Sequence, residues 1–242
     1  MARTFTWSKS LVATRQDFFN PDSSNKILQT TDQPFLFNIN ILYTVPKARV
    51  FDKWSMVSWV AKDWQVDFSG SYGSGALLTP PAATTTNNLA ATGTNQQIRV
   101  AGQPLYTKDL NCHCVNPFTD QVLNPLAWTN PAAGTFGPDT LYTDFRGPRH
   151  PTESFNFGRN FRIKERMNFQ VRMEFTNALN RTFLGNPVTN VAPANAVGRN
   201  NLGQINSGFG TINATSAVNG APTLGGNLSL PRQGTLIARF TF

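Results

Sequence analysis

The 242-residue chain contains no apolar run of about 18 residues, the length a helix needs to cross a bilayer, so a transmembrane helix is excluded. Charge is scarce as well: Asp, Glu, Lys and Arg together make up 14%, which is lean for a soluble protein. Acidic residues are the rarer sign, 13 against 21 basic, giving a net charge of +8. The basic residues are dispersed, with no Lys/Arg run and no recognisable binding motif, so the excess does not point to nucleic acid as a partner. No nucleophile elbow, HExxH pair, P-loop or dinucleotide fingerprint is present. The carboxylates Asp63, Asp67 and Glu174 stand apart from one another, so the chain is expected to be no enzyme and to carry no cofactor. A secretory leader is also missing, since Met1-Ala-Arg-Thr-Phe5 runs straight into a strand-like pattern.

With two cysteines and two histidines, metal and redox chemistry has few places to reside. Cys112-His-Cys114 is the single cluster of that kind. A local disulfide, free thiols and a metal site completed by His150 remain open; structural zinc usually asks for wider cysteine spacing and a fourth ligand.

Aromatics, by contrast, are abundant, with 19 Phe, and they recur at every second position. Phe35, Phe37, Ile39, Ile41, Tyr43 and Val45 alternate with Asn38, Asn40 and Thr44. Trp64, Val66, Phe68 and Tyr72 alternate with Asp63, Gln65, Asp67, Ser69 and Ser71. The same holds for Phe155, Phe157, Phe161 and Ile163 against Asn156, Gly158, Asn160 and Arg162, and for Met167, Phe169, Val171, Met173 and Phe175 against Asn168, Gln170, Arg172 and Glu174. A period of two places alternate side chains on opposite faces of a strand. The fold class is therefore all-β and antiparallel, with strands near residues 3–11, 34–46, 62–73, 153–163, 167–177 and 234–242. Residues 74–152 and 178–233, rich in Asn, Gly, Thr or Pro, read as long irregular loops. Residues 54–61, with Trp54 and Trp59, fit either a short interfacial helix or an extension of the next strand.

Two face compositions favour a membrane barrel over a soluble sandwich. The apolar sets are heavy in aromatics, with Tyr43, Trp64 and Tyr72 near strand ends as interfacial girdles require, and the opposite sets suit a watery lumen. Lys164-Glu-Arg166 is read as a three-residue turn that pairs Ile163 with Met167, Phe161 with Phe169, Phe157 with Met173 and Phe155 with Phe175. Gly158 then lies opposite Arg172. Turn and loop parity puts the long connections on one side of the membrane, the extracellular side in such barrels. Arg159 falls on the apolar face, where at mid-bilayer an Arg costs about 2–4 kcal/mol unless it snorkels, a bulge shifts it, or the strand is displaced.

The ending Leu236-Ile-Ala-Arg-Phe-Thr-Phe242 is similar to the closing strand of bacterial outer-membrane barrels, whose terminal aromatic serves as an assembly signal; Phe240 and Phe242 are its candidates. The run ESFNFGRNFRIKERMNFQVRMEFTNALNR at 153–181 resembles the final hairpin of Oar-like TonB-dependent outer-membrane receptors, which often carry a carboxypeptidase-regulatory-like domain. Phe5-Thr-Trp-Ser-Lys9, Leu42-Tyr-Thr-Val-Pro46, Asp63-Trp-Gln-Val66, Leu123-Asn-Pro-Leu-Ala127 and Pro231-Arg-Gln-Gly234 extend that resemblance in order along the chain. It implies the last six strands of a plugged barrel of about 22 strands. Implied partners are outer-membrane lipid, the remainder of the barrel and plug, the barrel-assembly machinery through the C-terminal strand, and TonB through the plug. Because signal peptide, TonB box and plug are absent from the sequence, the chain is expected to be a fragment, incompetent for uptake alone. Lumen-facing candidates against the plug are Asp67, Arg162, Arg172, Glu174 and Arg239. A soluble or surface-attached β-sandwich binding or adhesion protein is the alternative, and it predicts two sheets packed face to face.

Overall fold

The computed structural model describes residues 1–15, 24–46, 64–83, 96–132, 140–164, 167–181, 183–212, 216–218, 221–223 and 231–242. The interfacial segment at 54–61, Asp63 and two residues of the 164–166 turn lie outside them. Six strands form the main antiparallel sheet: β1 (Ala2–Trp7), β2 (Phe35–Thr44), β3 (Trp64–Gly73), β4 (Thr152–Lys164), β5 (Met167–Thr176) and β6 (Gln233–Thr241). Each pairs with its sequential neighbour, in the order β1-β2-β3-β4-β5-β6, so β1 and β6 are the two edges of the sheet. No helix among the described residues is long and apolar enough to cross a membrane.

Proline sets several of the strand limits. Pro34, Pro46, Pro151 and Pro231 stand just outside β2, β4 or β6, where a residue without an N–H can end a ladder without leaving a gap inside it. Connections 8–34, 74–151 and 177–232 leave the sheet at one end, hereafter the loop end, and 45–63 and 165–166 link strands at the other, the turn end.

Register carries the alternation across the whole sheet. Phe5 faces Phe37, Phe37 faces Tyr72, Phe68 faces Phe155, Phe155 faces Phe175, and Phe169 faces Phe240. These residues make one continuous apolar face, with ring pairs such as Trp64–Phe157 at 5.8 Å and Phe161–Phe169 at 6.2 Å. Cross-strand aromatic pairs of this kind are worth about 0.2–1 kcal/mol each. Gly158 sits opposite Arg172, and a Cβ on it would lie 2.8 Å from the Val171 carbonyl oxygen, so glycine is what lets the two backbones approach.

Two local readings are corrected. The first strand ends at Trp7 rather than near residue 11, because Ser10 N–H turns away to the Asp32 carboxylate at 2.7 Å. Leu11–Arg15 then pairs with Ser24–Leu28 in a separate ribbon. At the tight turn, Lys164 rather than Ile163 faces Met167, since a bulge between Arg162 and Lys164 inserts one residue.

Burial divides the molecule in an unusual way. Among the strand residues whose side chains are described, no apolar one is buried, and Phe5, Trp7 and Leu236 are 66, 76 and 65% exposed. The core lies instead in the loop-end connections: Leu105, Val122, Leu123 and Phe145 from 74–151 pack with Phe209 and Ile212 from 177–232. Backbone bonds join the two segments, Val122 N–H to Gly210 O at 2.7 Å and Ile205 N–H to Phe118 O at 2.8 Å. Their described parts are thus not separate irregular loops but one packed cap. Its apolar residues recur at no fixed period, which hides them from any reading based on alternation.

Phe145→Ala should therefore cost the cap about 3–5 kcal/mol, the range for emptying a buried aromatic site. Hydrogen exchange in the assembled protein should speed up around residues 105–123 and 205–212 while the strand amides stay protected.

Candidate functional site

The loop end gathers two connections, 8–34 and 74–151, around Arg146. Its Nη2 meets Asp32 Oδ2 at 2.6 Å, its Nη1 donates to the carbonyls of Asp32 (2.9 Å) and Gly75 (3.1 Å), and its Nε donates to Thr143 O at 2.8 Å. The planar guanidinium suits this role, because its donors point outward in a fixed fork. Tyr106 completes the node: its hydroxyl accepts from Arg146 N–H at 2.6 Å and donates to Arg146 O at 2.8 Å. Burial is the main reason the Tyr106 hydroxyl is pushed up to about 12, so it stays protonated. Above this node a cleft of about 620 Å³ opens, bordered by Lys108, Asp109, Asp144 and Arg149.

A second ion pair fixes the loop end of the apolar face. Glu153 lies in the same row as Gly70, beside Phe155, and is 2% exposed. Arg181 Nε reaches its carboxylate at 3.1 Å. Asn177 delivers that arginine: its φ of 47° turns the chain at the exit of β5, and its side chain bonds both the N–H and the carbonyl of Arg181 at 2.9 Å. Asn tolerates this left-handed conformation better than most side chains.

On the polar face, the pairing puts Asp67, Arg162, Arg172, Glu174 and Arg239 on one side of the sheet. Arg172 and Glu174 form an ion pair at 2.6 Å, and Asn156 Nδ2 donates to Asp67 Oδ2 at 3.3 Å. Arg162 and Arg239 lie toward the turn end and are not drawn into that pair. Arg159 remains on the apolar face in a regular ladder between Trp64 and Val171, short of the bulge. It sits near the turn end with its guanidinium 4.3 Å from the centre of the Phe161 ring, the cation–π geometry expected of a cation beside an aromatic girdle. Phe240 and Phe242 stand together with rings 6.2 Å apart, 47 and 91% exposed. In the cap, Cys112 and Cys114 are bonded to each other, and His150 bonds Leu184 O at 3.0 Å.

Asp32, Arg146, Glu153, Arg149 and Arg181 were not singled out by sequence. Arg146 and Asp32 are 114 residues apart, and no local spacing announces such a pair.

Burial pushes the Asp32 carboxyl upward, but the Ser10 N–H and Arg146 outweigh it and hold the group below the ordinary carboxylate range. A carboxylate with a lowered folded pKa stabilises above its unfolded value, about 3.9, and that contribution is lost as pH falls through the folded pKa. Amide protection at residues 8–10 and 29–33 should accordingly persist through mild acid and fail only below that range. Asp32→Asn should loosen these amides already at neutral pH, by about 3 kcal/mol for leaving Arg146 without its buried partner.

No curated protein and no solved structure matches the chain. The family model for an outer membrane beta barrel domain matches residues 1–225, a span that takes in five of the six strands of the sheet. An uncovered aromatic face, a polar opposite face and this match agree, and the chain belongs to the outer membrane beta barrel domain family and resides in the outer membrane.

Proposed function

We propose that this chain supplies six consecutive strands of a larger TonB-dependent receptor barrel, of about 22 strands, which takes up a ligand across the outer membrane. The observation that carries the reading is the contrast in burial: the loop-end connections make their own core, yet the aromatic face of the sheet is left uncovered. In water such a face would collapse onto another layer. In a membrane it meets lipid, with Tyr43 and Trp64 at the turn end and Trp7 and Tyr72 at the loop end as girdles. The β-sandwich alternative is not favoured, since the described residues form one six-stranded sheet with no second large sheet against it.

The edges support a larger assembly. In hydrocarbon, unpaired N–H and C=O groups on β1 and β6 would cost several kcal/mol each, so both edges call for neighbouring strands. On this reading the polar face lines the lumen, where Asp67, Arg172 and Glu174 meet the plug. The cap lies outside and meets the ligand, Phe240 and Phe242 engage the barrel-assembly machinery, and TonB supplies energy through the plug. No catalytic step is assigned.

Phe157→Arg, in the middle of the apolar face, should block outer-membrane insertion, at a cost of about 2–4 kcal/mol for a mid-bilayer arginine. Asn156→Arg, one residue away on the other face, should insert normally, and equal insertion of the two would sink the assignment of faces. The receptor reading has its own test: the assembled protein extracted from outer membranes should retain the periplasmic domain of TonB on a column. Absence of retention would leave a barrel with some other role.

A further inference from the structure

We infer that the loop end of the apolar face carries a binding site for the phosphate of an anionic outer-leaflet lipid, held by Arg149 and Arg181. The inference rests on the membrane orientation proposed above. Its basis is a cavity of about 460 Å³ where the sheet meets the cap, lined by Phe35, Tyr72, Arg149, Pro151 and Arg181 among others. Phe35 and Tyr72 belong to the apolar face, at the loop end of β2 and β3. The two arginines come from the cap side, from connections 74–151 and 177–232.

A second cavity of about 800 Å³ adjoins the first and shares Arg149, Pro151 and Arg181. It adds His113 and the apolar Leu179 and Phe183. Neither wall contains an aspartate or glutamate. The cleft above Arg146 differs in this respect, because Asp109 and Asp144 sit among its cations. Glu153 offsets the charge of Arg181, so Arg149 supplies the net positive charge that selects an anion at these two cavities, and their apolar walls select one that carries hydrocarbon.

The surroundings hold the cations in place. Glu153 is buried and already occupied by Arg181 Nε, so it anchors that arginine at the rim instead of repelling a ligand. Arg149 is exposed, and its backbone N–H is fixed by Asn111 Oδ1 at 2.9 Å. Guanidinium forks match phosphate oxygens in charge and in geometry. The level is right as well: Trp7, Phe35 and Tyr72 mark the aromatic girdle at this end, so a cation just beyond them stands where headgroup phosphates lie. Acyl chains would then run down the uncovered rings of Phe35 and Phe37.

The test uses the assembled protein, extracted from outer membranes and exchanged into phosphatidylcholine nanodiscs with or without a minor fraction of a bisphosphorylated glycolipid. Retained lipid is read by native mass spectrometry. The wild type should prefer the phosphorylated lipid over phosphatidylcholine by about tenfold, the scale of one charge-assisted hydrogen bond. Arg149→Gln should lose most of that preference and Arg149→Glu all of it, while Lys108→Glu, in the mixed-charge cleft, should keep it. Undiminished preference in both Arg149 variants overturns the site, as does an equal loss in Lys108→Glu. Displacement by millimolar inorganic phosphate would overturn the lipid as occupant in favour of a free anion. A wild type that needs no detergent for extraction contradicts the membrane orientation itself, a different failure from a membrane-embedded protein with no lipid preference.

Discussion

Hydrocarbon offers no partner to a backbone N–H or carbonyl, and the rest of this structure depends on that constraint. It accounts for a sheet in which each strand pairs with its neighbours in sequence. It also accounts for prolines kept outside the strands, and for a bulge confined to the last residues of β4 beside the tight turn. The side chains follow from the same medium. Because lipid stands in for a core, the apolar rings of the strands need no cover from the chain, and Phe5, Trp7 and Leu236 remain exposed. A soluble sheet with this face would be an aggregation hazard.

The cap obeys the opposite rule. It lies beyond the girdle, so it must bury its own apolar residues, and it does so around Val122, Leu123, Phe145 and Phe209. One ion pair joins it to the sheet and another ties it to a neighbouring connection. Arg146 with Asp32 ties connection 74–151 to connection 8–34, and Arg181 with Glu153 ties connection 177–232 to β4. A buried pair adds little net stability over an apolar replacement, but removing one partner is costly. The pairs therefore act mainly in positioning: Arg181 with Glu153 fixes the cap on the strands, and Arg146 with Asp32 fixes the connections against one another.

The strands were legible because period-two alternation is a local signal, present within ten residues at Phe35–Thr44 and again at Met167–Thr176. Register was legible where a short turn limited the choices, as for Phe161 with Phe169 and Phe157 with Met173. It slipped at Ile163 because a bulge leaves no mark in the hydrophobic pattern. The cap was not legible: Leu105, Val122, Phe145 and Phe209 converge from two connections with no shared period, and Asp32 with Arg146 spans 114 residues. Arg159 stood out in sequence as an arginine on the apolar face, and its place beside Phe161 near the turn end supplies the reason it is tolerated there.

The most direct measurement is a spin-label scan through β2, residues 35 to 44, in the assembled protein in bilayers, comparing collision with oxygen and with a water-soluble nickel chelate. The account predicts alternation without a break: oxygen favoured at Phe37, Ile39 and Ile41, and the chelate favoured at Asn38, Asn40 and Thr44. Uniform access of the chelate to both sets, or protection of the Phe37 set from both reagents, would contradict a lipid-facing sheet and point to a face buried against protein.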